Sequence, residues 1–171
     1  KDGMDVLVPS VRRTPPESLS PRAKSHNYLN LIMADMEAKA QDPEAWAILL
    51  DTRGFLTEGI GSNIFTIKDG VIYTPQEQYV LGGISRETAI EMAERIDVPV
   101  VTKDIDLFDA MTADEIFLTS TSLCICGVRS FQGRQIGDGT AAGPITKALM
   151  NEYVDFVEYD WLGQSLKRLE D

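Results

Sequence analysis

Three observations predict an α/β or α+β fold. Strand-like runs alternate with stretches of helical period along the whole chain. Trp46 to Asp51 is a nearly continuous apolar run, as expected of a strand buried on both faces. Asp69-Gly70 sits between two such runs and is the strongest short-range hairpin signal. The chain has 171 residues, enough for one domain with its own core.

Met4 to Val11 reads as a strand, ended by Arg12-Arg13 and the Thr14-Pro15-Pro16 break. A loop continues to Pro21. From Asn27 to Ala40 the apolar residues Tyr28, Leu31, Ile32, Met36 and Ala40 recur near a 3.6-residue period, which predicts a helix. Asp42-Pro43 stops it. After the Trp46–Asp51 strand, Thr52-Arg53-Gly54 turns the chain. Asn63 to Lys68 and Val71 to Thr74 form the predicted hairpin. Gly82-Gly83-Ile84-Ser85 opens a helix running to Ile96, with Ser85 as its N-cap. Val98 to Thr102 is a strand and Asp106 to Met111 a short helix. Glu115 to Thr119 and Ile125 to Phe131 are strands, with Gln132-Gly133 as a turn beyond them. Gly137 to Gly143 is a glycine-rich loop. Pro144 suits the first position of a helix to Val157, and the tail from Glu158 reads as a short final turn.

Composition removes several classes of partner. The formal net charge of −11 argues against nucleic acid or an anionic membrane surface, since both select basic patches. No apolar run approaches the roughly 20 residues needed to span a bilayer. No signal peptide is visible at the start, so a cytoplasmic protein is expected. Cys124 and Cys126 lie two apart on one face of a strand, where a bridge is strained, and are expected as buried, reduced thiols. With one histidine, His26, no His/Cys zinc set forms without carboxylates, and no metal is expected. Gly137-Asp138-Gly139 lacks the strand-to-helix context of a dinucleotide site and reads as a surface loop.

Three features carry chemistry. The stretch Leu56 to Phe65 holds Glu58 between strand-like runs, with Gly59 and Gly61 to allow positive φ or close approach of backbone to a ligand. Lys24 precedes the first helix. It is either a solvated charge or, if buried beside an aldehyde, an imine-forming nucleophile. Ile84-Ser85 at a helix start and Thr119-Ser120-Thr121-Ser122 at a strand end are anion-binding turns. Singly, each has an ordinary structural explanation. Together they meet the needs of pyridoxal phosphate: a Schiff-base lysine, a carboxylate at the pyridine nitrogen and a phosphate cup. The carboxylate favours the protonated ring nitrogen.

Six motifs in register then resemble the class IV (fold-type IV) pyridoxal-phosphate aminotransferases, the group of branched-chain and D-amino acid aminotransferases. They are Pro21-Arg22-Ala23-Lys24 with Asn27-Tyr28-Leu29-Asn30; Leu50-Asp51 with Leu56-Thr57-Glu58-Gly59 and Ser62-Asn63-Ile64-Phe65; Val71-Ile72-Tyr73-Thr74-Pro75; Leu81-Gly82-Gly83-Ile84-Ser85-Arg86; Ala113-Asp114-Glu115-Ile116-Phe117; and Thr119-Ser120-Thr121. The spacing between Lys24 and Tyr28 is one residue shorter than in the branched-chain enzymes. Leu123-Cys124-Ile125-Cys126-Gly127-Val128 departs from the family's smaller residues and its Pro-Val.

The resemblance implies the larger, cofactor-binding domain of that fold, a pseudo-barrel of strands flanked by helices, over residues 1–171. It leaves the family's smaller N-terminal domain outside the chain. It implies transamination between an amino acid, branched-chain type favoured, or an amine and a 2-oxo acid, with pyridoxal 5′-phosphate as cofactor. Lys24 would be the Schiff-base and proton-shuttling residue. Glu58 would meet the pyridine nitrogen, and Tyr28 the phenolic oxygen. Ile84, Ser85 and Thr121 would hold the phosphate, and the Thr121-Ser122 turn the substrate carboxylate. A homodimer is implied. Because the smaller domain contributes to phosphate and substrate binding in the family, this chain alone is expected to fall short of full activity. A lyase of the same fold acting on an aminated chorismate, and a non-enzymatic domain, are the competing readings.

Overall fold

The computed structural model describes residues 2–167. In chain order the elements are β1 (Met4–Leu7), α1 (Leu29–Gln41), β2 (Trp46–Leu50), β3 (Leu56–Gly59), β4 (Asn63–Lys68), β5 (Val71–Thr74), a 3₁₀ turn (Glu77–Tyr79), α2 (Ile84–Arg95), β6 (Val100–Thr102), α3 (Leu107–Met111), β7 (Glu115–Ser120), β8 (Cys124–Phe131), β9 (Arg134–Gln135), α4 (Pro144–Val157) and α5 (Trp161–Lys167).

Six strands run β3-β2-β1-β8-β7-β4, and a β4–β3 pairing closes them into a barrel. β5 and β6 extend from β4, and β9 pairs with β8. β1 lies parallel to both of its neighbours, whereas β3, β4, β7 and β8 pair antiparallel in turn. Strands β2, β3, β4 and β7 are buried on both faces along nearly their whole length, as the run at β2 predicts, whereas β1 and β8 are partly exposed. Ile48, Leu50, Ile64 and Leu118 point into one core with Val6, Leu56 and Val128. Their neighbours Phe65 and Phe117 point the other way, stacked at 4.6 Å, into a second core with Ala89 and Met92 of α2 and Leu149 of α4. Ala47 and Leu49 face Leu31, Ala34 and Ala38 of α1. The two-residue alternation of a strand thus serves two cores at once.

The predicted hairpin forms at Asp69-Gly70. Both residues have positive φ (50° and 78°), the backbone that matches the twist of the flanking strands. Other expectations need correction. The first strand stops at Leu7, because the following N–H groups find side chains instead of a ladder: Val8 donates to Gln132 Oε1 and Ser10 to Glu37. α1 starts at Leu29, two residues late, since His26 is left-handed (φ 63°) and Tyr28 N–H turns back to the His26 carbonyl. Ser85 is not the cap of α2. Gly83 takes that position with extended backbone and no side-chain bond, leaving Ser85 inside the first turn. Leu56–Gly59 is a strand instead of a turn, held by pairing to β2 and β4. The tail carries α5, where Asp160 accepts from Gly163 N–H and Trp161 packs edge-on against Tyr153. Cys124 and Cys126 are free but half-buried, and burial raises both thiol pKa values.

Two carboxylates tie distant segments together. Glu115, buried at the start of β7, accepts from Ile145 and Thr146 N–H, both at 2.9 Å, and so caps α4 in place of Gly143. A Cβ on Gly143 would collide with that carboxylate. Glu115→Ala is expected to destabilise the fold by about 1–3 kcal/mol through two unpaired helix N–H groups, read as a lower denaturant midpoint. Asp5 on β1 accepts from Arg129 and from Ser130 on β8, and these bonds hold its carboxyl below the ordinary carboxylate range. A depressed folded-state value means the stabilisation is present above the unfolded value, about 3.9 for Asp. It is lost as pH falls through the folded value. Asp5→Asn should therefore flatten the acid limb of a stability-against-pH curve while leaving the slope near neutrality unchanged.

Candidate active site

The end of the barrel where β3, β4 and β7 meet carries a cavity of about 380 Å³. Strand register brings its floor together. Glu58 on β3 pairs with Asn63 on β4, which pairs with Thr119 on β7, so three polar side chains lie across three adjacent strands. Lys24 comes from the long loop before α1, Tyr28 from the start of that helix, and Ile84 and Ser85 from the first turn of α2. Thr121 follows the end of β7. Six of the seven expected residues, Lys24, Tyr28, Glu58, Ile84, Ser85 and Thr121, line this one cavity. Ser122 is not among its lining residues. It faces solvent, with its hydroxyl 3.3 Å from that of Ser120.

Glu58 is 5% exposed. Its Oε2 accepts from Leu81 N–H at 2.8 Å and its Oε1 from Arg13 Nε at 2.9 Å. Burial pushes its carboxyl above the ordinary range. The Leu81 N–H, Arg13 and the charge of Lys24 pull in the opposite direction, without cancelling it. Leu81 is clipped on both sides, since its carbonyl accepts from Asn63 Nδ2 at 3.0 Å. Lys24 is exposed within the cavity lining, and the His26 ring stacks on Tyr28 with centroids 6.2 Å apart.

The glycines after Glu58 act differently from the expectation. Neither Gly59 nor Gly61 has positive φ. Gly59 is needed for closeness: a Cβ there would lie 2.5 Å from Ser62 Oγ and 2.8 Å from the Ala47 carbonyl. Two further polar atoms are unexplained by the protein itself. Ser62 Oγ and Thr119 Oγ1 are buried, lack a hydrogen-bond partner and belong to residues lining the cavity. The first turn of α2 and the turn at Thr121 line the same cavity, and a helix start leaves its first N–H groups without intrahelical partners. Sequence reasoning missed Arg13, which reads as one of two arginines ending a strand. It also passed over Asn63, whose motif carried it without a role.

A buried carboxylate, a lysine and a helix start meet at one end of a closed barrel. Residues 1–131 match the family model for Amino-transferase class IV, and the chain belongs to that family. It is similar to a putative branched-chain-amino-acid aminotransferase of Methanocaldococcus jannaschii, 40% identical over 156 residues, covering 91% of this chain and 54% of that protein. It is 38% identical to the branched-chain-amino-acid aminotransferase of Pseudomonas aeruginosa, covering 92% and 51%. The crystal structure of the Escherichia coli branched-chain amino acid aminotransferase superposes with a TM-score of 0.87 at 33% identity, over 95% of this chain and 55% of that one. A further branched-chain amino acid aminotransferase, from T.th. and complexed with N-(5′-phosphopyridoxyl)-L-glutamate, gives 0.84 at 33% identity, over 90% and 51%. The chain spans about half the length of the curated relatives it matches.

Gly83, the cap of α2, packs so that a Cβ would lie 2.5 Å from Asn63 Oδ1. Gly83→Ala is expected to displace the Asn63 amide from Leu81 and to lower stability by about 1–3 kcal/mol, measured by equilibrium denaturation.

Proposed function

We propose that this chain is the cofactor-binding half of a pyridoxal-phosphate-dependent aminotransferase. It would move an amino group between an amino acid, branched-chain type favoured, and a 2-oxo acid. The observation that carries the reading is the convergence of Lys24, the buried Glu58 and the start of α2 on one cavity. The named relatives favour transamination over the lyase and non-enzymatic readings.

Pyridoxal phosphate, when bound, supplies an electron sink for the bonds of the substrate α-carbon. Lys24 would hold its aldehyde carbon, and Glu58 its ring nitrogen. Tyr28 would stand beside its phenolic oxygen, and Ile84, Ser85 and Thr121 around its phosphate. In its neutral form the Lys24 amine is the group placed to move a proton at the α-carbon. Two donors already bond to the buried Glu58 and orient it, so a third, on a ring nitrogen, would meet an aligned acceptor. Thr121 and the adjoining Ser122 backbone would orient a substrate carboxylate. We assign the same protein to the cytoplasm and to a homodimer on the family resemblance. The exposed stripe Leu29, Ile32, Met33 and Met36 on α1 supports a covering partner.

The test is to add pyridoxal phosphate to the chain, reduce with borohydride and map the modified peptide by mass. An adduct confined to Lys24, absent from Lys24→Ala, is expected. Adducts spread over many lysines, or a Lys24→Ala protein extended to its relatives' length that keeps full transaminase turnover, would sink the proposal.

A further inference from the structure

Arg13 is 8% exposed and lies outside every strand and helix, yet three segments fix it. Its N–H donates to the Leu50 carbonyl at 2.8 Å, which ties it to the end of β2. Asn30 on α1 brackets it. The Asn30 amide donates to the Arg12 carbonyl at 2.7 Å, and its Oδ1 accepts from Thr14 N–H at 3.0 Å. The same Oδ1 lies 3.5 Å from Arg13 Nη1. What this bracket presents is one bond, Arg13 Nε to Glu58 Oε1 at 2.9 Å, between side chains that are 9% and 6% exposed. Asn30 belongs to one of the sequence motifs, and its bracketing of Arg13 gives that motif residue a task.

We infer that Arg13 is a positioning residue that acts through Glu58: braced by Asn30, it fixes the direction of the buried carboxylate and holds it in its charged form. The inference rests on the cavity's reading as a pyridoxal-phosphate site, where the carboxylate must be ionised to face a protonated ring nitrogen. A buried carboxylate without a partner takes up a proton instead of staying charged. The ionisable groups lining the same cavity are Arg13, Lys24, His26 and Tyr28. Of these, Arg13 is bonded to Glu58, and Lys24 acts on it through space. The arginine fork also matters. Asn30 and Glu58 are met by different nitrogens of one planar group, which a lysine cannot reproduce.

The experiment follows the Glu58 side-chain carboxyl by carbon-13 NMR against pH in the cofactor-free chain, for the wild type, Arg13→Met, Arg13→Lys and Asn30→Ala. In Arg13→Met the midpoint is expected to move to higher pH by about one to three units, the effect of losing a close opposite charge. Arg13→Lys should recover part of that displacement, and Asn30→Ala should show a smaller one of the same sign. A midpoint unchanged from wild type in every variant that keeps the native near-ultraviolet circular dichroism would overturn the inference. Because no cofactor is present, that outcome is separate from failure of the Lys24 adduct. The adduct can fail while the Glu58 midpoint still moves, which removes only the cofactor reading. In the loaded chain, Arg13→Met should weaken pyridoxal phosphate binding more than Arg13→Lys does, and equal affinities across wild type and both variants would count against Arg13.

Discussion

One short pairing holds the site in place: Glu58 opposite Asn63, where β3 meets β4 and the barrel closes. The contact spans one register pair, but Thr119, Leu81 and Arg13 are all tied to it. Asn63 also pairs with Thr119 and bonds to the Leu81 carbonyl, while Glu58 takes the Leu81 N–H. A single residue, Leu81, is therefore held by both members of the closing pair just before α2 begins. Closure of the barrel and aim of the helix start are one structural event.

That arrangement also governs the electrostatics. A carboxylate taken out of water is costly, and the cost falls when several good donors surround it. Glu58 has a backbone N–H on one oxygen and a guanidinium on the other, which leaves its remaining lone pairs directed by the geometry of the first two. Removing Glu58 would strand the buried Arg13 charge, whereas removing Arg13 would drive the carboxylate to take up a proton. Burial here gives orientation more than stability.

The fold was legible wherever the local chemistry was decisive. Asp69-Gly70 dictates a hairpin by its backbone, Pro144 fits a helix start, and the apolar run at β2 suits a strand covered on both sides. β3 was not legible, because Leu-Thr-Glu-Gly has no strand pattern of its own and owes its conformation to β2 and β4. Ser85 looked like a cap because serine often is one. The glycine before Ile84 won, since packing against Asn63 leaves no room there for a side chain. Lys24, Glu58 and the α2 turn converge as the motif order implies. Arg13 stayed hidden because its role comes from a partner 45 residues away and from a bracket made by α1. No spacing rule encodes a contact of that length.

The charge of the whole chain points away from anions, with a formal net charge of −11. The cavity answers with local dipoles instead of net charge. Among the described lining residues the lysine and arginine side chains are Lys24 and Arg13, and Arg13 is occupied by Glu58. An anion at the start of α2, as proposed above, would meet mainly backbone N–H groups and the hydroxyls of Ser85 and Thr121. Such donors are fixed by the fold, carry no counter-charge to be neutralised elsewhere, and act over a few ångströms. An acidic surface and an anion cup are compatible for that reason: screening at about a Debye length of 8–10 Å separates the two fields, and the nearer one decides.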